Sequence, residues 1–344
     1  MNFTTLLKGS LFSAAGLAMM AAASAPANAA DPTCEIDRPV VFAGLDWDSN
    51  AFHTELASYI MEHGYGCATD MIPGSTIPLL NGMARGDIDV TMEVWKDNVT
   101  EAWNEAVERG QVVELGTNFP DALQGWFVPR YLVEGENAKA PDLRHVDDLP
   151  AHKELFRDPE EPDKGRFYNC ILGWGCEVVN TKKLEAYGLL EHYTNFRPGT
   201  GAALSAAIDS NYRRERPIVF YYWGPTWLLG KLDVVMLEEP EYDADIWSAM
   251  TKTDTPDKVT AYPLVEITVG VNTEFRDQAP ILSEFLTKYE TTNDMVSKAL
   301  AYMQDTSGTP KDAAVNFMET NEDIWTDWVP EDVAKRVKDA LSSS

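Results

Sequence analysis

Two hydrophobic periods interleave along this chain. A two-residue period marks a strand with one face turned to a core. It runs through residues 87–95, where Ile88, Val90, Met92 and Val94 share a face. Residues 39–44 also read as a strand, residues 124–133 as extended chain, and residues 218–223 and 264–272 as strongly apolar strands. A helical period covers residues 51–61, 76–83, 99–108, 202–208, 279–286, 294–304, 310–320 and 330–341. Ser49 or Asn50 is the expected N-cap of the first helix, and Gly64 its expected stop. Strands alternating with helices predict an α/β protein with mostly parallel sheets. No internal repeat interrupts the pattern.

The first residues stand outside this alternation. Lys8 precedes a run of small apolar residues, 9–23, and then Ala27-Asn28-Ala29, an A-x-A cleavage site. That layout is a secretory signal peptide, too short at its core for a stable span. Residues 1–29 are therefore expected to be removed, and no Cys follows the run to carry a lipid. The mature chain is expected to be a soluble monomer in the periplasm. Of 344 residues, 28 are Lys or Arg and 55 are Asp or Glu, a net charge of -27, or -28 once Lys8 is lost. So acidic a chain repels phosphate backbones and argues against nucleic-acid binding. Its length suggests about two domains.

Export permits disulfides. Four cysteines allow three connectivities. Cys170 and Cys176 bracket a five-residue loop short enough to close on itself, which leaves Cys34 with Cys67 by default. Zinc is the weaker reading, since no C-x-x-C spacing occurs and the five His are scattered.

Ten Trp is a high count, and several stand beside Gly, Pro or acidic residues instead of inside apolar runs. Trp47, Trp95 and Trp223 fall at predicted strand ends, and Trp174 lies between two glycines inside the cysteine loop. In open α/β sheets ligands bind beyond the C-terminal ends of strands. A methylated cation offers no N–H donor but is attracted by aromatic faces. For one Trp, core packing is the commoner fate; for four so placed, a ligand box accounts better for the pattern.

Three segments carry a resemblance to the substrate-binding proteins of glycine betaine, choline and proline-type ABC importers. They are Gly86 to Trp95, Cys170 to Glu177 (Cys-Ile-Leu-Gly-Trp-Gly-Cys-Glu), and Pro217 to Trp227, which ends Tyr-Tyr-Trp-Gly-Pro-Thr-Trp. The resemblance implies a two-lobe periplasmic binding protein fold of type II, closing on its ligand as a hinge. It places lobe one at residues 30–127 plus 263–344 and lobe two at 128–262. The crossovers then fall near Gly125 to Val128 and near Tyr262-Pro263. It implies an aromatic box of Trp95, Trp174 and Trp223, with Trp47 added as in choline-type members and Trp126 near the first crossover. It implies no cofactor, a small methylated amine as ligand, and an inner-membrane ABC permease as partner.

The departures from the family pattern bear on the ligand. No His follows Trp95 in Lys96-Asp97-Asn98-Val99, and the last motif has Thr226 where other members have His, so two usual carboxylate donors are missing. The backbone N–H groups of Gly175 and Cys176 could still hold one oxygen. Asp46, Asp48, Glu93 and Glu177 crowd the motifs, with Glu93 in the ligand set, and would repel a ligand carboxylate. The expected ligand is therefore trimethylamine N-oxide, as in binders of marine bacteria that these motifs resemble, with choline or glycine betaine as the alternative.

Asp158, Glu160, Glu161 and Asp163 crowd one short stretch, a candidate structural calcium site weighed against a solvated acidic loop. Asn98-Val99-Thr100 fits the N-glycosylation pattern, and Gly199-Thr200-Gly201 is a fragment of a Gly-rich loop, most simply a helix start. A secreted hydrolase is the rival class, but no G-x-S-x-G, H-E-x-x-H or P-loop occurs. Polyamines or basic amino acids would also suit acid-rich motifs, though Trp faces fit methylated nitrogen better.

Overall fold

A computed structural model describes residues 33–343. The expected signal peptide lies outside these residues. No described helix is long and apolar enough to cross a membrane. The strands are β1 (Val40–Leu45), β2 (Thr69–Gly74), β3 (Val90–Val94), β4 (Val112–Ala122), β5 (Gln124–Pro129), β6 (Gly165–Tyr168), β7 (Tyr193–Phe196), β8 (Val219–Trp223), β9 (Val234–Met236) and β10 (Val265–Asn272). They form two five-stranded sheets, ordered β2-β1-β3-β10-β4 and β7-β6-β8-β5-β9. Each sheet is the floor of one lobe.

Both sheets are mixed, where the alternation of elements predicted mostly parallel ones. β1 pairs in parallel with β2 and β3, but β10 runs antiparallel to β3 and β4. In the second sheet β6 is parallel to β7 and β8, and β5 is antiparallel to β8 and β9. The reason is the same in each. The reversed strand is the one that arrives from the other lobe, so it has no preceding helix of its own lobe to carry it back to the parallel starting edge. Leu123 alone separates β4 of one sheet from β5 of the other. The change of sheet therefore precedes Gly125 to Val128, which lie within β5. The return falls between β9 and β10.

The middle strands β3 and β8, and β5 beside β8, are buried along their whole length, as strands covered on both faces must be. The first helix, Asp48–Tyr65, begins earlier than Ser49 or Asn50 would set it. Trp47 is its N-cap residue, and the Asn50 side chain instead accepts from the Leu45 N–H at 2.9 Å. The helix passes Gly64 and stops at Gly66, whose φ of 70° is the left-handed cap. Helices Pro310–Thr320 and Glu331–Leu341 pack on it, so the C-terminal part of the chain completes the first lobe. Residues expected to continue extended after β5 turn into a short helix, Arg130–Val133, once Pro129 ends the strand.

Both disulfides close as paired, Cys34 with Cys67 and Cys170 with Cys176. The acidic stretch is not simply a solvated loop. Asp158 is wholly buried and accepts from Arg166 at 2.8 and 3.0 Å and from the Glu160 N–H at 2.7 Å. Burial opposes its charge, but Arg166 and the N–H groups of Glu160 and Glu161 outweigh it and hold the carboxyl at about 2. Those partners occupy the oxygens that calcium would need, while Glu160, Glu161 and Asp163 point to solvent. Among the described residues no group of three or more His, Cys, Asp or Glu could hold a metal ion, and the calcium reading is withdrawn.

Candidate functional site

The strand ends of both sheets meet at one small pocket. Trp47, Trp95, Trp174 and Trp223 all line it, together with Gly175 and Cys176. Trp47 and Trp95 follow β1 and β3 in the first lobe. Trp223 ends β8, and Trp174 is the N-cap residue of helix Gly175–Ala186, both in the second lobe. The rings meet edge to face: Trp47 and Trp174 at 5.4 Å between centroids, Trp174 and Trp223 at 5.2 Å.

The glycines beside Trp174 explain how it gets there. Gly173 has φ +94°, a left-handed conformation, and a Cβ on it would stand 2.3 Å from the Ser75 Oγ. A Cβ on Gly175 would stand 2.5 Å from the backbone oxygen of Asn98. Both neighbours belong to the first lobe. The bridged loop presses its backbone directly against the opposite lobe, and only Gly allows that approach. The Gly173 carbonyl also accepts from the Ile77 N–H at 3.2 Å across the same contact.

Glu93, Asp46 and Asp48 bond indole N–H groups and do not line this pocket, though Asp46 and Asp48 line the adjoining cavity that Trp47, Trp174 and Trp223 also border. One oxygen of Glu93, Oε2, accepts from the indole N–H of Trp47 at 2.9 Å and of Trp95 at 2.8 Å. Asp46 accepts from the Trp174 indole at 2.5 Å. Asp48 accepts from Trp227, while burial pushes its carboxyl above the ordinary range. Burial likewise pushes Glu93 up, against the donors Trp95, Ser49 and Trp47. Glu93 was expected at the ligand; it sits behind the indoles and does not line the pocket. Glu177 is turned away, ion-paired to Arg197 at 2.5 Å.

Trp126 is the clearest departure from the expected box. It is wholly buried within the second lobe, packs on Phe167 at 4.3 Å and donates to the Asn180 Oδ1 at 2.7 Å. Its place in β5 points it to the core, not the pocket. Tyr221 lines the pocket instead. Period two was the signal for it: Tyr221 and Trp223 are two apart on β8 and share a face. Thr76, Asn98 and Val99 also line the pocket, and nothing in their spacing marked them. Thr226, where relatives were expected to carry His, caps helix Trp227–Lys231 by accepting from the Leu229 N–H at 3.4 Å.

Comparison with known proteins bears on this geometry. A family described as the substrate binding domain of ABC-type glycine betaine transport system matches residues 38–320. The glycine betaine-binding periplasmic protein OusX of Dickeya dadantii is 26% identical over 58% of this chain, and the match spans only 60% of that relative's length. The trimethylamine N-oxide-binding protein of Pelagibacter ubique is 22% identical over 87% of this chain and 92% of that protein. The structure of the glycine betaine, L-proline ABC transporter binding protein of Borrelia burgdorferi superposes with a TM-score of 0.70 at 19% identity, over 87% of this chain and 100% of that one. It has the same two-lobe fold. The chain thus belongs to the family of substrate-binding domains of ABC-type glycine betaine transport systems, which are binding proteins and not enzymes.

Proposed function

We propose that this protein is the substrate-binding component of an ABC importer, and that it holds a small methylated amine between its lobes. One observation carries the reading: four Trp from both lobes converge on one pocket. Methyl groups on a positive nitrogen pack well on such walls, each cation–π contact contributing roughly 0.5–2 kcal/mol. Asp46, behind the edge of Trp174, adds negative potential on the ring's side of the pocket. The partner is then an inner-membrane permease that receives the closed form. The periplasm is the compartment, which agrees with two disulfides and the expected leader.

Trimethylamine N-oxide is the favoured ligand. The histidines expected to hold a carboxylate are missing: none lies in Lys96 to Val99 after Trp95, and Thr226 is spent on a helix cap. The N–H groups of Gly175 and Cys176, in the first turn of their helix, suit a single oxygen. The similarity to the Pelagibacter protein points the same way. Glycine betaine is the second reading, favoured by the likeness to OusX. So small a ligand as the N-oxide reaches at most about -7.5 kcal/mol at about -1.5 kcal/mol per non-hydrogen atom, a dissociation constant of a few micromolar.

Isothermal titration of the mature protein with trimethylamine N-oxide, choline and glycine betaine tests this. Micromolar binding of the N-oxide with weak binding of betaine is expected. Preference for betaine would overturn the ligand and leave the box; no binding of any of the three would overturn the box.

A further inference from the structure

The pocket is not wholly aromatic. Asn98 lines it from the short turn Lys96–Asn98 that follows Trp95. The Asn98 Nδ2 donates to the Gln124 Oε1 at 2.7 Å. The Tyr221 hydroxyl, from the second lobe, donates to the same oxygen at 2.6 Å. Gln124 is the first residue of β5, one step past the point where the chain changes sheets. It is buried and joins a side chain of each lobe at the junction between them.

Two atoms of this trio are buried without a hydrogen-bond partner, the Asn98 Oδ1 and the Gln124 Nε2. A buried amide group left unpaired costs about 1–3 kcal/mol. Such a cost at a pocket wall is offset when a ligand supplies the missing bond. We propose that Asn98 is the residue that selects ligands by their oxygen substituent, with Gln124 as the residue that positions it. This rests on the methylated-amine reading and extends it to the ligand's other end.

The amide chemistry allows two settings. As it stands, Asn98 turns an acceptor oxygen to the unfilled side, which suits a ligand hydroxyl such as that of choline. Turning both amides over keeps every bond of the trio. The Gln124 Nε2 then donates to the Asn98 Oδ1 and to the Tyr221 oxygen, which accepts, and the Asn98 Nδ2 faces the ligand. That setting suits an oxygen that only accepts, such as an N-oxide. An ammonium with four methyls and no oxygen satisfies neither.

The test compares trimethylamine N-oxide, choline and tetramethylammonium by calorimetry on the mature protein. Tetramethylammonium reads the aromatic walls alone. Asn98→Ala should weaken the N-oxide and choline about tenfold and change tetramethylammonium less than twofold. Asn98→Asp, nearly the same shape, can only accept; it should lose the N-oxide while keeping choline. Gln124→Leu should reduce the preference for oxygen-bearing ligands as Asn98→Ala does, with tetramethylammonium retained. Equal losses for all three ligands in Asn98→Ala, or no split in Asn98→Asp, would overturn the assignment and leave Asn98 a closure contact. If the wild-type protein binds none of the three, the aromatic box fails and this assignment with it.

Discussion

An indole ring whose N–H edge is held by a hydrogen bond presents its face in one fixed direction. Here Glu93 fixes the edges of Trp47 and Trp95, and Asp46 fixes that of Trp174. The acids were visible in the sequence beside each Trp, but their task was not, since a carboxylate near an indole reads equally as a ligand contact. Trp95→Ala, Trp174→Ala or Trp223→Ala should each weaken ligand binding by about 1–3 kcal/mol, from lost cation–π attraction and apolar burial together, as titration would show. Trp126 gives the opposite outcome. Trp126→Phe removes its bond to Asn180 and part of a packed core side chain, so unfolding free energy should fall by about 1–3 kcal/mol while the dissociation constant stays within about twofold. Paired denaturation and titration of the two kinds of variant would separate pocket Trp from core Trp.

Elements with strong periods were legible, and those without were missed. β8 is a continuous apolar run, β10 places Val265, Ile267, Val269 and Val271 at every second position, and both stand where the pattern placed them. β2 is an edge strand with mostly exposed residues and a Pro, so it carries no apolar period. β4 is half-buried and contains Gly116 and Pro120, residues that read as breakers. The Cys170–Cys176 loop was legible because its spacing is local. The other bridge ties Cys34, ahead of β1, to Cys67, ahead of β2, at a sequence separation of 33. Replacing Cys34 and Cys67 by Ser should lower stability by about 3–4 kcal/mol on the loop-entropy model. Thermal melts should show that drop with ligand selectivity unchanged, because this bridge lies outside the pocket lining.

At the scale of the whole molecule, burial sets the pH response. His53 lies wholly buried beside Phe119 and bonds the Tyr289 hydroxyl at 2.7 Å, and burial lowers its pKa to about 3. The unfolded chain binds this proton near 6.5 and the folded chain does not. The stability His53 contributes is therefore present above about 6.5 and is lost as pH falls toward 3. Between pH 7 and pH 5 the loss is about 2 kcal/mol. Glu93, pushed up by burial, acts with the opposite sign above the ordinary carboxyl range. Urea midpoints at pH 7 and pH 5, compared between the wild-type protein and His53→Gln, isolate the histidine; a flatter dependence is expected in the variant. Contacts between lobes belong to this scale too. Asp46 with Trp174, Lys231 with Asp305, and Asn98 with Gln124 all bridge from the elements of one lobe to those of the other.

The sequence by itself determined the alternating α/β character and the short Cys170–Cys176 loop, and marked the four tryptophans proposed here as the ligand box. These follow from local signals: period, short spacing, and residue types repeated at strand ends. Only the tertiary structure decided that Trp126 is core, that Tyr221 and Asn98 reach the pocket, that the acids hold indoles, and that Asp158 belongs to Arg166. Each of those depends on which groups meet across long sequence separation, and a carboxylate, an amide or an indole takes its role from the partner it meets.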